Sequence, residues 1–307
     1  MADTPQLLRT PTGLRKPVDL PPESDGQHDK PAFANKDLAG LSSAEVYNMN
    51  QDLLNESVPT RPLIDSLAPM STLRSEYENG SAAFLKQIDW LIQHSFDHIQ
   101  RTKGDGDCFY RSLGFAYVEG ILNAADKNLA VGRSLSLLES TKSTLDAAGI
   151  EQFVYEDFYD ALVSLVENIM KPGKDGVLTA AKLLQAFQEA EVSNAIVMAL
   201  RLLTSAQIRQ NRDDYEGFLV HPDTKDLMDV DSFCNNVVQA LGKEADNVEI
   251  QALTSALQLN LDLAYLNGVR ADGVDFVPFR NDPDKDCAPL VLLYRPGHYD
   301  ILVRQSK

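Results

Sequence analysis

The stretch "GDGDCFYRS", residues 104–112, decides the reading of this chain. Gly104 and Gly106 let the backbone turn sharply and expose its N–H groups. Asp105 and Asp107 alternate with them, and Cys108 follows at once. The run after it, "FYRSLGFAYVEGIL", carries Phe109, Leu113, Ala116, Tyr117 and Ile121 at helical spacing. A loop therefore becomes a helix at Cys108. Asp107 takes the N-cap position, where its side chain is expected to accept a backbone N–H one turn in. A thiol there sits at the positive end of the helix dipole, which favours the thiolate. Loop N–H groups at Gly106 and Asp107 are suited to hold an oxyanion. A cysteine buried at a helix start for packing alone is the alternative that these residues leave open.

A nucleophilic cysteine needs a histidine base and a group that orients it. The chain has five histidines. His28 lies in a Pro-rich tail, and His221 precedes a proline in a charged loop. His94 and His98 are spaced i, i+4 in a segment read as one helix, 82–100, but lack the acidic partner of a metal motif. His298 stands in "RPGHYDILV", after a Pro-Gly turn. Residues two apart on a strand share a face, so His298 and Asp300 project together and Tyr299 points away. A carboxylate beside an imidazole fixes its tautomer and steadies its cation. The other two cysteines lack such surroundings. Cys234 shares a helical face with Val237, Val238 and Leu241 and reads as core, while Cys287 lies in the acidic loop "NDPDKDCAP".

The composition narrows the classes. With 307 residues, 44% of them hydrophobic, the chain can build a large core. No apolar run reaches the roughly 18 residues of a membrane span, and a secretory signal is not expected, since the first residues lack a basic start followed by an apolar block. Three cysteines without a CxxC argue against a disulfide framework or structural zinc. A reducing compartment, cytoplasmic or also nuclear, is expected. A net charge of −17 disfavours nucleic acid and anionic membranes. It suits either a partner with a basic face or solubility alone.

Residues 1–41 read as a disordered tail holding six of the 15 prolines. Residues 42–307 read as one domain that opens with a helical arm, where Ser42 and Glu45 form a capping box. Helices are expected at 71–80, stopped by Gly80, and at 82–100, with Phe84, Ile88, Leu91 and Ile92 on one face. Further apolar stripes run through Val131–Leu145, Val154–Ile169, Leu184–Phe187, Ile196–Leu203, Phe233–Leu241 and 246–259. Then the pattern changes. "LDLAYL" (261–266), "PLVLLYR" (289–295) and "YDILVR" (299–304) read as strands, the last two as a hairpin. The fold class is α+β, a helical body packed on a small mixed sheet, mostly C-terminal.

"GDGDCFYRSLGFAYVE" and "LLYRPGHYDILV" together resemble the otubains, ovarian-tumour-type deubiquitinating cysteine proteases. "LRLLTSAQIRQNRDDYEGFL" and "FCNNVVQALGKEADNVEIQAL" extend the likeness in the same order, over about residues 65–304. The resemblance implies a papain-like fold, with Cys108 as nucleophile, His298 as general base and acid, Asp300 as its orienting group and Asp105 as an active-site acid. It implies cleavage of the isopeptide bond between the ubiquitin C-terminus and a lysine, with no metal or cofactor. The partners implied are ubiquitin, ubiquitin chains and ubiquitin-conjugating enzymes, and the chain is expected to act as a monomer. A non-catalytic regulator of ubiquitin-charged conjugating enzymes, or a hydrolase for another ubiquitin-like modifier, is the competing reading. One position departs: otubains commonly carry an uncharged residue, often Asn, where this chain has Asp107. A carboxylate there is expected to oppose the thiolate.

Overall fold

The structure is a computed structural model and describes residues 61–78, 81–173, 176–270, 272–284 and 287–304. The expected tail, the capping box of Ser42 and Glu45, and the helix stop at Gly80 lie outside these residues. A six-stranded mixed sheet forms the centre. Its strands are β1 (Ala68–Pro69), β2 (Phe96–Gln100), β3 (Asn260–Tyr265), β4 (Asp275–Arg280), β5 (Leu290–Arg295) and β6 (His298–Arg304), in the order β1-β2-β6-β5-β3-β4. Only β3 and β5 run parallel; the other neighbours are antiparallel. β5 and β6 form the expected hairpin, turned at Gly297 with φ +73°, a conformation that glycine adopts without steric cost.

Alternation along the strands feeds two cores. Leu261, Leu263, Leu292, Tyr299 and Ile301 join the larger one. Ala264, Leu266, Leu293 and Leu302 join the smaller. The smaller core is closed by α1 (Met70–Glu76) and α2 (Ala82–Gln93), through Met70, Leu73, Tyr77, Phe84, Ile88 and Leu91. The larger contains α3 (Cys108–Leu122), α4 (Lys127–Ala147), α5 (Gln152–Glu167), α6 (Ala180–Gln188) and α7 (Ala190–Gln210). Helix α3 is the hub, and even Arg111 and Ser112 on it are buried. A last helix, α8 (Asn247–Ala256), starts with a capping box made by Asp246 and Glu249.

Four expectations need correction. The helix read over 82–100 ends at Gln93: Ser95 takes φ +69°, and the chain re-emerges as strand β2. Thus His94 and His98 share no helical face; His94 stacks on Trp90, and His98 pairs with Val303 across the sheet. Ile92, read as an inward residue, is exposed. Strand β4 was not anticipated, because Pro278 interrupts its pattern; it is an edge strand, where a missing N–H is tolerated. The helix expected through Phe233–Leu241 is a short turn, Val230–Phe233, continued by a wider π turn at Cys234–Val238, and Leu241 is exposed.

Candidate active site

Cys108 is the first residue of α3, as its sequence context suggests. The capping expectation fails: Asp107 makes no side-chain cap to the helix. Its Oδ1 instead accepts from Arg201 Nε at 3.0 Å, Arg201 Nη2 at 2.5 Å and the Gly242 N–H at 3.1 Å. A guanidinium is a stronger partner for a buried carboxylate than one neutral N–H. Asp105 takes the local role. Its Oδ1 accepts the Asp107 N–H at 3.1 Å and Arg111 Nη1 at 2.9 Å, which pins the turn. The Asp107 N–H, expected to serve an oxyanion, is therefore engaged within the loop. Gly106 has φ +80°, and a Cβ there would lie 2.1 Å from Gly242 O. No side chain fits, so this loop and the 239–246 segment meet backbone to backbone.

The histidine side is built on the hairpin. His298 Nε2 lies 2.9 Å from Asp300 Oδ1, and both residues are fully buried. A carboxylate only accepts, so the imidazole proton sits on Nε2, and Nδ1 carries the lone pair. Nδ1 is buried and has no hydrogen-bond partner among the described residues. Asp300 is held further by the Thr102 N–H at 2.9 Å and by Arg295 Nη2 at 2.5 Å. Burial alone would raise its carboxyl, but the charge of Arg295 and the partnership with His298 outweigh this and hold it well below the usual carboxylate range.

The backbone of Tyr299, the residue between His298 and Asp300, lies beside the Cys108 thiol and favours its thiolate. The Phe109 and Tyr299 rings meet edge to face at 5.4 Å, and Ser112 Oγ donates to Tyr299 O at 3.2 Å. So the start of α3, which carries Cys108, and the start of β6, which carries His298 and Asp300, are packed together through Tyr299. The thiol is closed off, at 1% exposure. Burial pushes it up to about 12, opposed by the Tyr299 backbone and helped by the charges of Glu244, Asp105 and Asp300. Asp107, the carboxylate expected to oppose the thiolate, is not among those leading causes. Its charge is spent on Arg201.

The other cysteines stay apart. Cys234 is core, as expected. Cys287 is exposed, and its thiol rises to about 11 through partial desolvation and then Asp282. No metal-ligating cluster occurs among the described residues. Sequence reasoning missed Arg201 and Arg295. The signal was a single arginine inside "AIVMALRLL", and another ending the apolar strand "LVLLYR". A cation on a buried face needs an internal anion.

A helix-borne cysteine against a sheet-borne histidine–aspartate pair, within an α+β domain, defines a papain-like cysteine peptidase. Residues 56–304 match the family model Peptidase C65 Otubain, and the chain belongs to that family. It is 34% identical over 282 residues to the Arabidopsis thaliana "OVARIAN TUMOR DOMAIN-containing deubiquitinating enzyme 1", covering 88% of this chain and 89% of that protein. It is 30% identical over 265 residues to human "Ubiquitin thioesterase OTUB1", covering 86% and 92%. Among solved structures, h/ceOTUB1 with ubiquitin aldehyde and UBC13~Ub aligns with a TM-score of 0.70 at 28% identity. That alignment covers 87% of this chain and all of the other, 100%.

Proposed function

We propose that this cysteine-type deubiquitinase acts through Cys108, His298 and Asp300, hydrolysing the isopeptide bond between the ubiquitin C-terminal glycine and a lysine amine. The observation that carries the reading is the His298–Asp300 bond, with Nδ1 lacking a partner among the described residues and the helix that starts at Cys108 packed against the intervening Tyr299. Nδ1 takes the thiol proton as the sulfur attacks the glycine carbonyl. The first N–H groups of α3, which have no intrahelical acceptor, and that of Gly106 receive the oxyanion. The imidazolium then protonates the leaving lysine amine. A water that gives its proton to Nδ1 hydrolyses the thioester, and ubiquitin leaves with a free carboxylate. Asp105 serves by shaping the loop, through the Asp107 N–H and Arg111.

Residues 42–307 make up the working domain, and a thiol-preserving compartment, cytoplasmic or nuclear, suits the three free cysteines. The partners are ubiquitin chains and, because aligned solved structures hold UBC13~Ub or UBCH5B~Ub, ubiquitin-conjugating enzymes. The test is a panel of linkage-defined di-ubiquitins beside Cys108→Ala. Cleavage lost in the variant supports the reading. Cleavage that survives it rejects Cys108 as nucleophile. A wild type that cuts no linkage and ignores a C-terminal electrophilic ubiquitin probe leaves binding of conjugating enzymes as the function.

A further inference from the structure

Arg201 lies on α7 and takes no part in the chemical steps above, yet it is 1% exposed and surrounded by parts of the site. Besides Asp107, it donates to Gly106 O at 3.2 Å, Val238 O at 2.8 Å and Lys243 O at 2.6 Å. Its guanidinium also lies over the Tyr110 ring, 4.2 Å from the centroid. One side chain thus ties the loop before Cys108 to the 238–243 segment. That segment is followed by Ala245, whose carbonyl accepts the Tyr299 hydroxyl at 2.8 Å. The cysteine loop and the histidine strand are therefore braced against the same stretch of chain.

Resting on the mechanism proposed above, we infer that Arg201 is a positioning residue for the reaction: it fixes the loop beside Cys108 and cancels the negative charge of Asp107, one residue before the nucleophile. The pairing explains how an aspartate is tolerated there. A planar fork with five donors can serve a carboxylate and three carbonyls at once, which a lysine cannot do. The remaining charged groups that act on the thiol are Glu244, from the 239–246 segment; Asp105, held by Arg111; and Asp300, held by Arg295 and bonded to His298. Around Arg201 itself stand Asp107 and the buried Glu249 and Tyr110. Asp107 and Arg201 are thus a pair whose two charges can be removed separately without touching a proposed reacting group.

The test is a charge cycle in the full-length protein, using Asp107→Asn, Arg201→Gln and the double variant. The rate of labelling by a ubiquitin C-terminal electrophile is measured against pH, with di-ubiquitin kcat and KM and thermal melting alongside. Asn keeps the acceptor oxygen for Gly242 and Arg201, so Asp107→Asn folds and leaves a net positive charge near the sulfur. Its acid limb is expected to move down by about one pH unit. Arg201→Gln leaves Asp107 unpaired: the acid limb moves up by a similar amount, and kcat falls at least about tenfold with KM little changed. The double variant returns the limb to the wild-type position while kcat stays low, because the three carbonyl bonds are still missing. If Arg201→Gln fails to fold, Asp107→Asn decides alone; an unmoved or raised limb overturns the inference. Limbs that do not move in an enzyme that still depends on Cys108 sink the role of Arg201 only. Activity without Cys108 sinks the proposed mechanism instead.

Discussion

On the cysteine side of the site, Arg201 takes the charge of Asp107, a carboxylate that touches no proposed reacting atom. On the histidine side, Arg295 takes the charge of Asp300, a carboxylate bonded to the imidazole itself. Both arginines are almost fully buried. The first pair shapes a loop, whereas the second conditions a base. Arg295 also reaches back to Glu76 on α1 at 3.4 Å, and Glu76 in turn binds Arg61 and Arg101. The histidine half, which shares the large core through Tyr299 and Ile301, is thereby tied also to the helix that closes the small core, whereas Cys108 and Phe109 lie in the large core alone. With Arg295 and the Thr102 N–H already drawing on Asp300, its main service is to orient the imidazole, and less of its charge remains to steady the imidazolium.

The largest effect should come from breaking the histidine-side pair. Arg295→Met strands a fully buried carboxylate and is expected to cost about 3–5 kcal/mol in denaturant unfolding, with loss of most turnover. Adding Asp300→Asn should restore much of the stability, because both charges are then gone. The pH dependence follows from the depressed Asp300 carboxyl. Its contribution is present above the unfolded carboxylate range, near about pH 4, and is lost as pH falls towards the lower folded value. The double variant should therefore lose less stability on acidification than the wild type. If Arg295→Met unfolds at the wild-type denaturant midpoint, the two sides are not anchored in the way contrasted here.

Gly106→Ala probes the cysteine side without removing a charge. The new methyl cannot coexist with Gly242 O, so the loop or its neighbour must shift. A displacement of about 1 Å there should lower kcat roughly a hundredfold, with substrate affinity less affected. Wild-type kcat in this variant would show that the backbone contact does not set the loop.

A milder perturbation is chemical. Cys108 is closed off and pushed up to about 12, whereas Cys287 is exposed and rises to about 11. A small neutral alkylating agent should label Cys287 first in the free protein, as read by peptide mass spectrometry. A ubiquitin carrying a C-terminal electrophile should reverse the order, since it brings its own contacts to open the site. Faster labelling of Cys108 by the small reagent would mean that the resting site is open.

What the sequence disclosed, and what it hid, divides along the same line. The helix start at Cys108 and the pairing of His298 with Asp300 were legible because each signal is local: a glycine-spaced helix start, and two residues on alternate strand positions. The hairpin and the helical body were legible from periodicity. Strand β2 was not, because "FDHIQ" follows a helix with no glycine or proline between them, and the break falls at Ser95 in a left-handed conformation. Arg201 was hidden for another reason: its partner lies 94 positions away, and no spacing rule spans that distance. The expected Asp107 cap shows the cost of purely local reasoning. A local donor was available, and a distant cation displaced it.

The smallest expected effect on catalysis sharpens that last point. Glu249 closes the capping box of α8 through the Asp246 N–H at 3.1 Å, yet it is buried and lies in the electrostatic reach of Arg201. Burial, with Asp246 beside it, raises its carboxyl to about 8. A raised carboxyl means that the folded state holds a proton the unfolded chain has already released. Stability is then greatest below the unfolded value, near about pH 4, and falls as pH rises towards the folded one. Glu249→Gln keeps an oxygen for the cap and removes the titration. Its stability relative to wild type should grow steadily from pH 5 to pH 8 in thermal melts, while turnover at pH 6 is unchanged. A constant difference across that range would mean that Arg201 shares enough of its charge with Glu249 to keep it ionised, and the cation assigned to Asp107 would then be serving two carboxylates.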